Sequence, residues 1–597
     1  MASGAVTERG RAAPLVLIAL GVTALVAVML VLALPGRLQT TLGDTDDAMR
    51  LVIVRGLLSG ETSWFHPHLA RVQPPVGLDM HWSRLVDGGL AALDRMFALV
   101  MPADRAETAM RLVWPLAWIF PAVWAVLAIA RRVGGRAALA PAVALLAVNL
   151  LIYAQWQPGR IDHHDLQIVA ALAALAGAVH GGRRGALLAG IASGLGMAVG
   201  LEALAFLALA GASFALRWLA APGDEAPAAR TYAAALLASV ALAYVAQTPP
   251  VLWTASVCDA LAANLLSGVA LAAAGLLAAT WAASGRGLPA RLAALAIAGG
   301  AAGAAYLALD PTCLHGPLGA VDARLKPIWL DHIGEMKPLL SVLVQRRSEF
   351  AACSVALIAL GAASWLWLGR RRAARDPAWA LLGAMLAAGA AAALSAERMA
   401  HYADWFALPL VAAALGDLSI RFWKASPLPA VALVVASSQP VLIAGLGVLP
   451  GWRLPQAATA AADAGLGPCS EIAAYRRLGA LPPGLALTEI NLGPRVLAAS
   501  GDAVMAAPYH RMTYGILTAH RALAAGPGAD EAAVRGMGAA YVLDCPSQAR
   551  QFNHLSLGPA SLQRRLDRGE APAWLEPLSA RGEVLQIYRV RGADGRP

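Results

Sequence analysis

Long runs of alanine, leucine and valine recur over the first three quarters of the chain, and short clusters of arginine separate them. The first run, Pro14 to Leu34, is long enough to cross the roughly 30 Å hydrocarbon core of a bilayer as a helix. Of the 597 residues, 58% are hydrophobic and 14% are charged, whereas soluble domains have about 25% charged residues. The sequence therefore predicts a polytopic α-helical membrane protein. Because arginine clusters orient such proteins, the net charge of +10 does not indicate nucleic-acid binding.

The arginine clusters also predict which side of the membrane each segment faces. Arg9 and Arg11 precede the first run, which places the N-terminus in the cytoplasm, because cytoplasmic loops carry the excess of lysine and arginine. The later runs give about thirteen helices, or eleven if the closely spaced fifth and sixth are lost. With either number, the last part of the chain emerges on the outer face. We expect a transmembrane domain over residues 1–450, with outer loops at 37–110 and 310–350.

Three aspartates, Asp44, Asp46 and Asp47, follow the first run at the point where the chain leaves the membrane. Carboxylates at the bilayer edge can meet water and a cation without the cost of the membrane centre. We interpret one of them, Asp46, as facing a substrate or a metal ion. The alternative is an acidic turn that caps the next helix, since aspartate is favoured at helix starts.

A second polar cluster lies in the stretch QWQPGRIDHHDLQ, residues 155–167, where Pro158 and Gly159 interrupt the helix. Carboxylate oxygens suit Mg²⁺ or Mn²⁺, and a histidine ligand favours Mn²⁺. A simple helix cap is the alternative, but two histidines between two aspartates exceed what a cap needs. We therefore expect a metal site here, formed by members of the run Asp162, His163, His164 and Asp165.

The outer loops hold further candidates. His66, His68 and His81 could bind a metal ion, although histidines at this depth more often anchor the chain at the membrane interface. Glu335 lies in the short segment IWLDHIGEMKPLL, which Pro338 ends, and it could simply pair with Lys337.

The order of these motifs resembles the catalytic subunit of oligosaccharyltransferases, within the GT-C class of membrane glycosyltransferases. DDAMRLVIVRGLL is similar to the first motif of that family, and GRIDHHDLQ is similar to the second. GEMKP resembles the outer-loop motif, and ERMAHY (397–402) resembles the segment whose arginine binds the donor phosphate. The resemblance covers about residues 14–450. The second ligand position of the second motif is usually acidic, so His164 is a departure that bears on the identity of the metal.

The resemblance implies a GT-C fold and a role for each matching residue. Asp46, Asp47 and Glu335 would be catalytic, and Arg398 and His401 would bind the donor phosphate. The implied ligands of a divalent ion, Mg²⁺ or Mn²⁺, are Asp46, Asp162, His164, Asp165 and Glu335.

The implied activity is transfer of a sugar or oligosaccharide from a polyprenyl-phosphate-linked donor to a lipid, glycan or protein, with inversion, at the periplasmic face. The expected location is the inner membrane of a bacterium, in contact with membrane lipids. The chain does not contain the sequence WWDYG, which argues against the usual protein N-glycosylation. A transporter or lipid flippase is the main alternative, but it would need ionisable groups near the membrane midplane and repeated halves. A non-catalytic membrane scaffold is a third.

The composition becomes that of a soluble protein after about residue 451, and we expect a small periplasmic α/β domain over 451–597. The stretches 485–490, 503–508, 539–545 and 584–590 are predicted strands. Tyr509, His510 and Arg511 follow one of them and either position an acceptor or form a structural turn. The cysteines allow two disulfides, Cys258–Cys313 and Cys469–Cys545, which an oxidising periplasm would favour, although sequence cannot determine the pairing.

Overall fold

A computed structural model describes residues 3–346, 348–372, 376–436, 438–448, 467–546, 557–580 and 582–592. By length and composition, seven helical segments in this part of the chain could cross a membrane. Two bent helix pairs, Arg136–Val148 with Leu150–Trp156 and Leu428–Ala436 with Gln439–Gly445, raise the number to nine if each pair is one span. The seven segments are Pro14–Ala33, Ala103–Gly134, Pro222–Gln247, Ala263–Ala282, Leu288–Leu309, Glu349–Arg370 and Glu397–Phe422.

The predicted number of thirteen spans is not confirmed, and helix length is the reason. Three apolar helices, His164–His180, Leu204–Ala220 and Pro377–Ala393, have only 17 residues each. At 1.5 Å per residue such a helix is about 25 Å long, which is shorter than the hydrocarbon core of roughly 30 Å. The helix Gly182–Val199 packs beside the first of them.

Small residues bring these helices close together. A Cβ atom added to Gly185 would lie 2.3 Å from the carbonyl oxygen of Gly177 on the neighbouring helix, so the two backbones touch. Close backbone approach through small residues is the usual way in which helices pack in membranes. The segment Glu397–Phe422, which contains the helix Ala400–Phe422, is the most enclosed of the seven segments. In its most apolar stretch, 89% of the residues are buried inside the protein.

Two helices outside these segments, Thr45–Ser59 and Arg84–Ala98, belong to the predicted first outer loop. A two-stranded antiparallel ribbon connects them, formed by β1 (His68–Leu69) and β2 (Leu78–Asp79). The second predicted loop contains short helical turns, and one of these, Gly334–Met336, carries Glu335.

The chain after residue 467 forms a five-stranded mixed sheet in the order β4-β3-β5-β7-β6. The central strand is β5. β3 pairs in parallel with β4 and β5, and β7 pairs antiparallel with β5 and β6. Four strands lie within the predicted stretches, and β6 was not predicted. The strands are β3 (Leu485–Leu487), β4 (Ala503–Val504), β5 (Tyr541–Asp544), β6 (Leu575–Pro577) and β7 (Gln586–Val590). The longer helices beside them are Gly493–Ala499, Thr513–Ala524, Ala529–Gly536 and Leu562–Asp567.

The sheet shares one apolar core with the first outer loop. Val72 forms a parallel bridge with Val504, and the Val504 amide donates to the carbonyl of Arg71, so the loop extends the sheet beyond β4. The Tyr509 hydroxyl donates to the Thr45 carbonyl at 3.1 Å. The two regions therefore pack as one layer, and the expected domain boundary at 450/451 lies outside the described residues.

A salt-bridge cluster around Asp259 fastens this layer to a loop between two potential spans. Arg511 donates twice to the Asp259 carboxylate, at 2.8 and 2.7 Å, and His510 lies 2.7 Å from it. Burial alone would raise the pKa of Asp259, but the hydrogen bonds from His510 and Arg511 hold it below its usual range. The adjacent disulfide is Cys258–Cys313, and Cys469–Cys545 closes the C-terminal region, so both predicted pairs are present.

Replacing Asp259 by asparagine removes the charge that pairs with Arg511 but keeps the size of the side chain. Hydrogen bonds to charged groups contribute about 1.5–3 kcal/mol each, so we expect Asp259→Asn to lower the apparent melting temperature measured by tryptophan fluorescence. Asp322→Asn is the matched control, since Asp322 pairs with an Arg324 side chain that is 66% exposed and exposed pairs contribute little. An unchanged melting temperature for Asp259→Asn would contradict the fastening role.

Candidate active site

A cavity of about 930 Å³ lies between the helical bundle and the C-terminal layer. It brings together side chains that are hundreds of residues apart in the sequence. Of the predicted site residues, Asp47, Asp162, Asp165 and His401 are not among the described residues that line it. Those that do line it are Asp46, His164, Glu335, Arg398, Tyr509, His510 and Arg511.

The three aspartates of the first motif divide two roles between them. Asp44 caps the helix Thr45–Ser59 by accepting from the amides of Asp46 and Asp47, and Asp47 accepts in return from the Asp44 amide at 3.2 Å. This is a reciprocal capping box. Asp46, between them, has its side chain at the cavity. The capping interpretation therefore describes Asp44 and Asp47, while Asp46 is available for a ligand.

Asp47 also joins the first motif to the second. Its Oδ1 accepts from the amide of Ile161 at 2.9 Å, and its Oδ2 lies 3.3 Å from the Arg160 guanidinium. Arg160 pairs with Asp44 as well. These contacts place the start of the helix Thr45–Ser59 directly against the residues before Asp162.

Asp46, Asp162 and His164 form the candidate metal site. Each offers one ligand atom, and these atoms lie within 4.8 Å of one another. The Oδ2 of Asp162 is buried, accepts no hydrogen bond from any described residue, and lies 3.2 Å from the Nε2 of His164. Adjacent ligands of an octahedral ion with bonds of about 2.1 Å are about 3 Å apart. The residues therefore fit a small divalent cation.

The electrostatics of these carboxylates also favour a cation. Burial raises the pKa of Asp46 to about 8, and repulsion from Asp162 and Glu335 adds to the effect. Burial, with repulsion from Asp162, raises the pKa of Asp47 to about 7. Burial would also raise the pKa of Asp162, but His163, His164 and Arg160 hold it well below its usual range. A divalent ion would relieve the repulsion between such crowded carboxylates.

The remaining predicted residues lie at different depths. Arg398 is 29% exposed at the cavity and lies 3.4 Å from Glu335, which is itself about half exposed. His401 is buried and contacts Gln155 at 3.3 Å. Asp165 is buried, and its Oδ1 accepts from the amide of Leu166. Glu335 and Arg398 therefore extend the site toward the opening, whereas His401 and Asp165 lie behind it.

Comparison with solved structures identifies the fold. An oligosaccharyltransferase, AglB from Archaeoglobus fulgidus, in complex with an inhibitory peptide and a dolichol-phosphate, matches with a TM-score of 0.64 and 14% identity, over 97% of this chain and 75% of that chain. The same enzyme tethered to an acceptor peptide containing the NVT sequon matches with a TM-score of 0.64 and 14% identity, over 97% and 74% of the two chains. Its complex with Zn and sulfate matches with a TM-score of 0.60 and 14% identity, over 89% and 68%.

The chain has a GT-C fold like that of oligosaccharyltransferases. No family model matches the sequence, and no curated protein matches it. The fold resemblance predicted from four short motifs is therefore confirmed by three-dimensional structure. The sequence identity of 14% would not have shown it.

Within this GT-C fold, three residues that sequence reasoning did not assign to the site complete it. Glu202 lines the cavity in a turn between two helices. Arg160 pairs with Asp44 and Asp47, and Arg50 pairs with Asp87 at 2.6 Å and lies 3.7 Å from Asp162. A lone acid between two apolar segments was the only signal for Glu202. Arg50, four residues after Asp46, lies one helical turn along the same face, which could have identified it.

The histidines of the first outer loop are not part of the candidate metal site formed by Asp46, Asp162 and His164. His68 pairs with Asp79 at 2.9 Å. His81 lies with Asp259 and His510 in a second group of three possible ligands, and the centroids of the two histidine rings are 4.5 Å apart, with the rings tilted by 55°. Because Arg511 already neutralises Asp259, we interpret this second group as part of the fastening cluster.

Gly43 supports the first motif and can be tested directly. Its φ of +83° is a left-handed conformation, and an added Cβ would lie 2.5 Å from the Oδ2 of Asp47. We expect Gly43→Ala to displace Asp47 and to lower the melting temperature. Gly36→Ala is the control, because Gly36 has a φ of +74° but its Cβ would meet open space. It measures backbone strain alone, about 1–2 kcal/mol. Equal losses in both variants would show that the Asp47 contact contributes nothing.

Proposed function

We propose that this protein transfers a sugar or oligosaccharide from a polyprenyl-phosphate-linked donor to an acceptor at the periplasmic face of a bacterial inner membrane. The observation that carries the proposal is that Asp46, His164 and Arg398 line one cavity within a GT-C fold, with a ligand atom of Asp162 within 4.8 Å of those of Asp46 and His164. The dolichol-phosphate bound to the archaeal enzyme supports the donor class, because it is itself a polyprenyl phosphate lipid.

Asp46, Asp162 and His164 would hold a divalent cation, Mg²⁺ or Mn²⁺, with Glu335 and Asp165 near it. When bound, the ion would supply positive charge that stabilises the phosphate as it leaves the sugar. The protein residues carry out the remaining tasks. Arg398, at the cavity beside Glu335, binds the donor phosphate through its guanidinium, which suits phosphate geometry. His401 lies behind the cavity wall, where it contacts Gln155.

The proposed reaction is a single displacement at the anomeric carbon of the donor sugar. A nucleophilic atom of the acceptor forms a bond to the anomeric carbon of the sugar, while the bond from that carbon to the phosphate oxygen breaks, and the lipid phosphate departs with the electron pair. Attack from the face opposite the phosphate gives inversion. Asp46, at the start of its helix, orients the acceptor and helps to accept its proton, and Asp47 keeps Asp46 in place through its contacts with Arg160 and Ile161.

The acceptor would enter along the C-terminal wall of the cavity, which Tyr509, His510 and Arg511 line. These residues hold both Thr45 and Asp259, so they shape the wall rather than project freely. Because the sequence lacks WWDYG, the acceptor we propose is a lipid, a glycan or a protein recognised in another way. The C-terminal region would then be periplasmic, as the arginine clusters predict.

The first test replaces the residues at the centre of the site. We expect Asp46→Asn or Glu335→Gln to reduce transfer by about 100-fold or more, since charges aimed at the transition state contribute on that scale. A deletion strain is complemented with each variant, and its glycolipids and glycans are compared with those of the parent by mass spectrometry. Asp79→Asn is the control, because Asp79 lines the cavity but pairs with His68. Full restoration of the missing product by both site variants would remove the proposed site.

A second test addresses the cation. Membranes of the parent strain, treated with EDTA, should lose formation of the product that the deletion strain lacks, and Mn²⁺ or Mg²⁺ should restore it. Ca²⁺ is the matched control, because its longer bonds of about 2.3–2.6 Å fit three closely spaced ligands less well. Transfer that persists at full rate in EDTA would exclude a role for an exchangeable metal.

A further inference from the structure

Glu202 occupies a fixed position beside the proposed cation site. It lies in the short turn between the helices Gly182–Val199 and Leu204–Ala220. Gln167 anchors this turn by accepting from the amide of Ala203 at 3.2 Å. The Glu202 side chain is only 10% exposed, yet it is part of the cavity lining. A carboxylate buried to this extent needs positive partners.

Glu202 has two such partners, and they belong to different parts of the site. Its Oε2 lies 3.2 Å from the Nδ1 of His164 and 3.5 Å from the Nε of Arg398. Glu202 therefore contacts both the histidine of the proposed cation site and the arginine of the proposed phosphate site.

The contact with Glu202 determines which ring nitrogen of His164 would keep its proton when a cation binds. Without a cation, both nitrogens face carboxylate oxygens at 3.2 Å, Nδ1 that of Glu202 and Nε2 that of Asp162. A cation held by Asp46 and Asp162 would take the place of the proton on Nε2, whereas Glu202 would keep the proton on Nδ1. Carboxylates orient metal-binding histidines in this way in many proteins.

We propose that Glu202 is a positioning residue that orients His164 toward the cation and links the cation site to the phosphate-binding Arg398. This inference rests on the proposed function, because it assumes that His164 is a ligand. It adds a consequence that the ligand set alone does not have. Since one carboxylate contacts both groups, binding of the cation and binding of a lipid phosphate become energetically coupled, and the coupling is reciprocal.

The test measures Mn²⁺ binding to the purified full-length protein by electron paramagnetic resonance, with no turnover required. We expect Glu202→Ala to weaken binding by about 10- to 100-fold, as is typical when the partner of a metal-binding histidine is lost. His164→Ala should weaken it comparably, and the double variant should bind no more weakly than His164→Ala alone, because the two residues act as one unit. Farnesyl phosphate should strengthen Mn²⁺ binding to the unsubstituted protein by a larger factor than to Glu202→Ala, because only the direct attraction between phosphate and cation remains in the variant.

Two further variants serve as a conservative substitution and as a control. Glu202→Gln keeps the shape and an acceptor oxygen, so a loss of about fivefold is expected from the weaker neutral hydrogen bond even if Glu202→Ala does not fold. Asp79→Asn removes a different carboxylate of the cavity, whose side chain is 74% exposed, and it should change binding by less than about twofold because exposed charges are screened.

The possible failures can be distinguished. Normal Mn²⁺ binding that neither Glu202→Ala nor Glu202→Gln weakens would overturn the role of Glu202 and leave the proposed function intact. Losses in Glu202→Ala and His164→Ala that multiply in the double variant would also overturn it. Absence of Mn²⁺ binding, or binding that Asp162→Asn leaves unchanged, would overturn the cation site itself and this inference with it.

Discussion

Several carboxylates lie close together at one cavity or directly behind its wall, and they can do so only because positive groups lie between them. Arg160 contacts both Asp44 and Asp47, Arg50 lies between Asp87 and Asp162, and Arg398 lies between Glu202 and Glu335. Burying a carboxylate without such a partner costs several kcal/mol. Without these arginines, the acidic side chains could not lie so close to one another. The pairing is incomplete at Asp46, whose pKa is raised first by burial and then by repulsion from Asp162 and Glu335, and a cation fits at this place.

A hydrogen bond, an ion pair and a shared apolar core fix the C-terminal region against the rest of the chain. Tyr509 contacts Thr45 at the start of the helix that carries Asp46, and Arg511 contacts Asp259 on a loop of the bundle. The apolar residues beneath form a single core that contains parts of the loop and of the sheet. A cavity with one wall from the bundle and one from the sheet can separate the donor side from the acceptor side. The C-terminal residues thereby determine the shape of the entrance without contributing ligands to the cation site.

The sequence predicted the parts of this arrangement that are written as local patterns. Asp46, Asp162, His164, Glu335 and Arg398 stand in short motifs in a recognisable order, and the structure brings them to one region. The number of spans was harder, because a helix of 17 residues has the composition of a span but lies at the short end of the length range of spans. Glu202, Arg160 and Asp259 were not assigned, since their importance lies in contacts with residues 38 to 252 positions away in the sequence, which no local pattern records. The two interpretations of the first motif, a cap or a site, were not exclusive, because neighbouring residues serve one role each.

The histidine of the second motif would have a physical consequence in the proposed site. As a ligand with a neutral ring, at a position that is usually acidic in the family it resembles, His164 would bring one negative charge fewer to the direct surroundings of the cation. Glu202, which contacts the Nδ1 of His164, would supply that charge one contact further out. The total charge around the cation would then be similar, but part of it would be shared with Arg398. An acidic ligand would act on the cation alone, whereas the pair of His164 and Glu202 would transmit the state of the proposed phosphate site to the cation.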